Sequence, residues 1–282
     1  MSTRLRLASI WALAAETIRS ASAETVVGKV EEVVGAGADP VMLGAQLFAL
    51  THVLDTQPGL RRVLTDPSID DDRLTELVEG LLHDFDDATV QVAAAATRQR
   101  WSAGRDLGDA VERGGVTAFL LAADSEHQLD EVEDELFRFA RIVRADPHLG
   151  EALGDRTAPT QARQQLVDDL LQDQVGVSSL HLVRQAVVGR HRSVPASLGE
   201  MQRLAAARRE RLVAEVRVAS PLSEELHDRL ATRLAQMFHH ELQLNVVVDP
   251  DVLGGVTVSV GDHVVDGTVS TRLAEAHRRL AG

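Results

Sequence analysis

Residues 48–82 and 137–171 align without a gap at a spacing of 89 residues, and this internal repeat restricts the fold more than any other feature. Phe48/Phe137, Pro58/Pro147, Leu60/Leu149, Leu64/Leu153 and Asp66/Asp155 are identical, as are Leu77/Leu166, Val78/Val167, Leu81/Leu170 and Leu82/Leu171. The matches fall mainly on apolar positions and on residues that start or stop helices, as they do when two copies of one fold diverge on their surfaces. In each copy a helix is expected to run to the residue before a proline, Gln57 or Asp146, where the proline ring disfavours continuing it. Pro58 or Pro147 then opens a short helix as its first residue, and Asp66 or Asp155 ends it. Asp70-Asp71-Asp72 reads as capping oxygens and favourable negative charge for the next helix, and Pro159 stands at the matching opening. Leu74, Leu77, Val78 and Leu81 form one expected apolar stripe, as do Leu166, Val167 and Leu170.

Further helices are expected around 88–101 and 178–190, and from about 196 to 213, the last carrying Leu198, Met201, Leu204, Ala205 and Leu212. Asp39 and Pro40 read as cap and first residue of a helix bearing Leu43, Leu47, Leu50 and Leu54. Nothing before residue 208 alternates like a strand. The spacing therefore predicts two related helical bundles in series, at 1–111 and 112–208.

Around residue 213 the period changes. Ala214, Val216 and Val218 alternate with Glu215, Arg217 and Ala219 as a first strand. Ser220-Pro221 stops it, Ser223 caps a helix with Glu224 and Glu225 in its first turn, and Leu226, Leu230, Leu234 and Phe238 are its expected buried stripe. Leu242, Leu244, Val246 and Val248 alternate as a second strand. Val256, Val258 and Val260 alternate with Thr257 and Ser259, Gly261-Asp262 is turn chemistry, and Val264, Val265 and Val269 supply the return strand of a hairpin. Gly254-Gly255 before it permits backbone angles that a side chain forbids. A terminal amphipathic helix carries Leu273, Ala276 and Leu280. Residues 209–282 thus read as a small α/β unit, and the whole chain as mainly α.

The 282 residues are 44% hydrophobic but only 3% aromatic, which suits close-packed helices. There is no cysteine, so no disulfide or thiolate site is available. No window approaches the ~20 apolar residues of a membrane span, and Arg4, Arg6 and Glu16 interrupt any signal-peptide core. The net charge is −14; residues 1–111 hold 10 basic and 17 acidic side chains, 112–200 hold 9 and 15, and 201–282 hold 10 and 11. An acidic surface repels phosphate backbones and argues against a nucleic-acid partner.

No reaction centre emerges, and neither catalytic, cofactor-binding nor metal-binding residues are assigned. His239-His240-Glu241 places neighbours about 100° apart on a helix, or on opposite faces of a strand, so they do not chelate one ion. The glycines of 254–261 precede a strand rather than a helix N-terminus, so they read as a turn rather than a phosphate cradle. The acidic run from Glu131 to Glu135 reads as a solvated helix face. No Gly-x-Ser-x-Gly elbow accompanies the Ser, His and Asp residues present.

Asp249, Pro250, Gly254, Gly255, Gly261, Asp266 and Gly267, set in the order Asp-Pro, Gly-Gly hairpin, Asp-Gly-Thr, terminal helix, resemble the C-terminal signature of the δ subunit of bacterial F-type ATP synthases. The mitochondrial counterpart is the oligomycin-sensitivity-conferring protein. Thr268 stands where that family usually carries serine, with the hydroxyl retained. Residues 116–205, from Val116-Thr117-Ala118-Phe119-Leu120 onward, are similar to the family's N-terminal bundle, which makes 1–111 an additional copy. The resemblance implies a non-catalytic stator, with the bundle bound to N-terminal segments of α subunits of the catalytic head. The C-terminal unit would grip the b subunit of the peripheral stalk. It also implies a peripheral place on the cytoplasmic face of the cell membrane, without direct membrane insertion. The competing reading is a helical adaptor in another assembly; a small hydrolase using His239, His240 or an acidic pair is the third.

Overall fold

A computed structural model describes residues 21–188, 190–211, 213–238, 242–249, 255–260 and 263–266. The chain divides into two compact units, Met1–Gln202 and Arg203–Gly282. The first is helical throughout its described residues: α1 (21–35), α2 (Pro40–Thr56), α3 (Pro58–Leu64), α4 (Asp71–Leu81), α5 (Asp87–Thr97), α6 (Gly104–Ser125), α7 (Leu129–Ala145), α8 (Pro147–Gly154), α9 (Thr160–Leu171) and α10 (Val177–Ala186). The division falls within α11 (Val194–Arg211).

The repeat is written into the element boundaries. Helices α2, α3 and α4 begin at Pro40, Pro58 and Asp71, and α7, α8 and α9 begin 89 residues later in each case. Local chemistry explains the agreement. Asp39 caps α2 by accepting the Val41 and Met42 N–H groups, and Asp146 caps α8 by accepting those of His148 and Leu149. After each short helix the same turn recurs. Asp66 Oδ1 accepts from Ser68 N (2.9 Å) and Oγ (2.7 Å), and Asp155 Oδ1 accepts from Thr157 N (2.8 Å) and Oγ1 (2.7 Å). These hydrogen bonds hold both carboxyls below the usual aspartate pKa.

One helix serves both copies. At the repeat spacing of 89 residues, α11 corresponds to nearly the whole of α6, and α1 to its part from residue 110 onward, so the two correspondences overlap on one helix. Its buried face, from Leu107 and Ala110 through Ala118 and Leu121, shares a core with Val26, Val30, Leu43, Leu47, Leu50 and Leu54.

The structure corrects several expectations. Asp70 occupies the cap position of α4, but its side chain makes no capping bond; Asp71 and Asp72 act only through first-turn charge. The stripes on α4 and α9 are half as wide as their spacing implies. Leu74, Val78 and Val167 are buried, whereas Leu77, Leu81 and Leu170 are exposed. Packing against little more than one neighbouring helix covers one row of each face and leaves the adjacent row outside. The helices after the repeats are also shorter than expected, ending at Thr97 and Ala186.

The second unit holds a four-stranded sheet in the order β2-β1-β3-β4, with β1 (Val213–Val218) parallel to β2 (Gln243–Val248) and antiparallel to β3 (Val256–Val260). The edge strand β4 (His263–Asp266) pairs antiparallel with β3. Helix α12 (Glu224–Phe238) makes the crossover between the parallel pair β1 and β2. Ala214, Val216, Val218, Val258 and Val260 form the core face with Leu234 and Leu242. Leu226, placed in the stripe by spacing, is exposed, whereas Leu230 and Leu234 pack on the core as expected. Val248 on the edge strand β2 is exposed as well.

Candidate functional site

The chemistry of the N-terminal unit concentrates where the two copies meet. Gly44, Ala45, Phe48, Ala49 and His52 lie at helical spacing on α2 and face the second copy. Two glycines make room for the rings. A Cβ at Gly115 on α6 would sit 2.6 Å from the Phe48 ring, and one at Gly44 would sit 2.6 Å from the Phe119 ring. Phe48 and Phe119 approach with centroids 5.4 Å apart, and Phe119 stacks on His181 of α10 at 4.7 Å. Beside this ladder a cleft of about 570 Å³ opens between α2 and the α9–α10 pair, lined by Ala45, Ala49, His52, Gln164 and the Asp168–Arg184 ion pair.

Burial lowers the His181 pKa, the nearby Arg184 charge lowers it further, and Asp168 opposes them. The fold therefore favours the neutral ring. A depressed histidine stabilises above its unfolded pKa of 6.5, and that contribution is lost as pH falls through the lower folded value. Thermal melts of the full chain should thus decline more steeply below pH 6.5 than those of His181→Phe, which keeps the stack but cannot titrate. Parallel slopes for the two proteins would show that His181 carries none of this dependence.

The second feature is a buried ion cluster. The Arg190 side chain is only 5% exposed and meets three carboxylates: Asp55 at the end of α2, and Asp109 and Glu112 on α6. Its Nε donates to Glu112 Oε2 at 2.9 Å, and Gln185 Nε2 donates to the other Glu112 oxygen at 2.6 Å. Arg105 donates to the Arg190 carbonyl at 2.8 Å. Burial pushes the Glu112 carboxyl above its usual pKa, against the charge of Arg190 and the Gln185 bond. Burial disfavours the Arg190 cation, but Glu112 and Asp55 outweigh it and leave the guanidinium more basic than usual. The cluster ties the first copy's α2 to the second copy's α10–α11 connection. Its charges are occupied with one another, so it works as a clamp.

Among the described residues, no group of three or more His, Asp or Glu side chains is placed to hold a metal ion. His239, His240 and Glu241 lie outside the described residues, as do Pro250, Gly254, Gly261 and Gly267. Of the remaining signature positions, Asp249 donates its N–H to the Val218 carbonyl at 2.8 Å, directly after β2. Gly255 adopts φ +90°, a left-handed conformation that leads into β3 and suits glycine. Asp266 pairs with Thr257 at the end of the β3–β4 ladder. Sequence reasoning did not single out Arg190 or Glu112, since a lone arginine in Gly-Arg-His-Arg reads as a solvated loop charge. The Phe48/Phe137 match marked a shared repeat position without showing what either ring meets.

The geometry thus pairs a mainly helical unit, clamped internally by buried charges, with a small sheet unit that has its own core. The family model described as "ATP synthase delta (OSCP) subunit" matches residues 115–280. A Kineococcus radiotolerans "ATP synthase subunit delta" is 44% identical over 87% of this chain and 90% of its own length. Its Beutenbergia cavernae counterpart is 44% identical over 88% and 92%. A chain of the Toxoplasma gondii mitochondrial ATP synthase hexamer overlays with a TM-score of 0.30 at 15% identity, covering 59% of this chain and 95% of its own. The chain belongs to the ATP synthase delta (OSCP) subunit family and is a non-catalytic peripheral-stalk component of an F-type ATP synthase. Alignments of 248 and 249 residues in a chain of 282 must each include both segments of the internal repeat. No helix among the described residues is long and apolar enough to cross a membrane.

Proposed function

We propose that the chain is a two-handed link: the helical unit grips α subunits of the catalytic head, and the C-terminal unit grips the b subunit. Held at both ends on the cytoplasmic face of the cell membrane, it resists rotor torque. In this reading 112–208 is the bundle common to the family and 1–111 is an extra copy that enlarges the contact with head or stalk. The observation that carries the proposal is the pair of compact units, each leaving its own apolar anchors outside: Leu77, Leu81, Leu170 and Ile142 on the first, Leu226 and Met237 on the second. Such side chains at helical spacing suit partner helices. Co-purification from cells expressing the full chain tests the division of labour. Leu226→Asp with Met237→Asp should reduce recovered b subunit about tenfold or more, a loss of ~1.4 kcal/mol or greater, while α recovery persists. Full retention of b by that variant would refute the assignment of the C-terminal unit.

A further inference from the structure

The two copies carry matched faces on matched helices, but among the described residues of the helical unit only one of those faces is filled. On α2 the interface positions are Ala45, Phe48, Ala49, His52 and Asp55, with Phe48 seated in the Gly115 notch and Asp55 bound to Arg190. Shifted by 89 residues, they become Asp134, Phe137, Arg138, Arg141 and Arg144 on α7. Here Phe137 is 47% exposed, and Arg141 lies over the Phe137 ring at 5.8 Å. Arg138 pairs with Asp134 of its own helix at 3.2 Å, largely in solvent. The aromatic anchor is thus retained while the charge beside it is reversed, with arginine standing where the first copy has Asp55. In a chain of net charge −14, Arg138, Arg141 and Arg144 make the half of α7 that follows the apolar anchor basic, after the acidic turns of Asp130, Glu133 and Asp134.

We propose that this face of α7 docks an acidic helix from another subunit of the synthase, with a glycine or alanine seating Phe137 and carboxylates meeting Arg138, Arg141 and Arg144. The proposal rests on the chain's place in the peripheral stalk. The intramolecular interface shows what such an occupant needs. It must offer a small-residue notch like Gly115, and charge opposite in sign to that which Arg190 presents to Asp55. Like-charge repulsion from the rest of the chain disfavours long polyanions, whereas a single acidic helix meets the arginines locally.

Rebinding of the full chain to synthase particles stripped of this subunit tests it. Phe137→Ala should weaken binding about tenfold, as loss of a central aromatic anchor does. Arg138→Glu with Arg141→Glu and Arg144→Glu should weaken it about a hundredfold at low salt and flatten its salt dependence. Both variants change exposed residues and should melt like the parent. A photoreactive residue replacing Asp134, one turn before Phe137 on the same face, should crosslink to an acidic helical segment of another subunit. Parent-like affinity of both variants, or a crosslink to a second copy of this chain or to lipid, would overturn the proposal. Failure of the unmodified chain to rebind would count instead against the stalk reading beneath it.

Discussion

Phe119→Ala should cost the helical unit about 3–5 kcal/mol of unfolding free energy, the range for emptying a large buried aromatic site. Phe119 is fully buried and central to the ladder, touching Phe48 of the first copy and His181 of the second. Its removal leaves the Gly44 backbone facing a void, because glycine has no side chain to collapse into it. The opposite error is also costly. Gly115→Ala would place a methyl 2.6 Å from the Phe48 ring, and overpacking of that kind costs about 1–3 kcal/mol. Urea titration of the full chain, followed by helical circular dichroism, measures both. A Phe119→Ala midpoint within error of the parent would mean that the copies do not depend on this ladder for stability.

Much of this fold is legible because its punctuation is local. Proline acts on its own φ and on the residue before it, so Pro58 and Pro147 mark helix starts whatever surrounds them. The strands of the C-terminal unit are equally plain, since alternation follows from the pleat alone. Leu77, Leu81 and Leu170 show where such reading stops. Periodicity reveals an apolar row but not how many neighbours will cover it, and α4 and α9 have too few. A boundary drawn between residues 111 and 112 likewise falls inside α6, where one continuous helix passes from one copy to the next without a change in composition.

The interface was harder to read for the same reason. Phe48 and Phe137 are identical in sequence, yet one is packed into a glycine notch and the other is exposed. What separates them is the presence of a following copy, which is a tertiary fact. Arg190 is more extreme: its burial depends on Asp55 and on α6, both remote in sequence. No local pattern encodes such a meeting.

Arg190→Met should therefore destabilise the helical unit by about 3–5 kcal/mol near neutral pH, the penalty for removing one partner of a buried ion pair. The lost attraction is the smaller part of the argument. Glu112 is buried, and losing Arg190 removes the one cation it shares with Asp55 and Asp109, whereas those two aspartates still have Arg61 at 3.9 Å and Arg105 at 3.8 Å. Adding Glu112→Gln should recover much of the loss, since the amide oxygen can still accept from Gln185 and no buried charge is left. Asp55 and Asp109 keep partial access to water and can be solvated there. The pH dependence has a definite sign. Burial already holds the Glu112 carboxyl above its unfolded value of 4.5, and without Arg190 it moves further up. A raised carboxyl favours the fold below the unfolded pKa and loses that contribution as pH rises through the folded one. The Arg190→Met penalty should accordingly be largest at neutral pH and shrink as pH falls toward 4.5. Denaturation of the parent, both single variants and the double at several pH values closes the cycle. Additive effects, or a penalty that grows on acidification, would show that Arg190 and Glu112 do not act as one clamp.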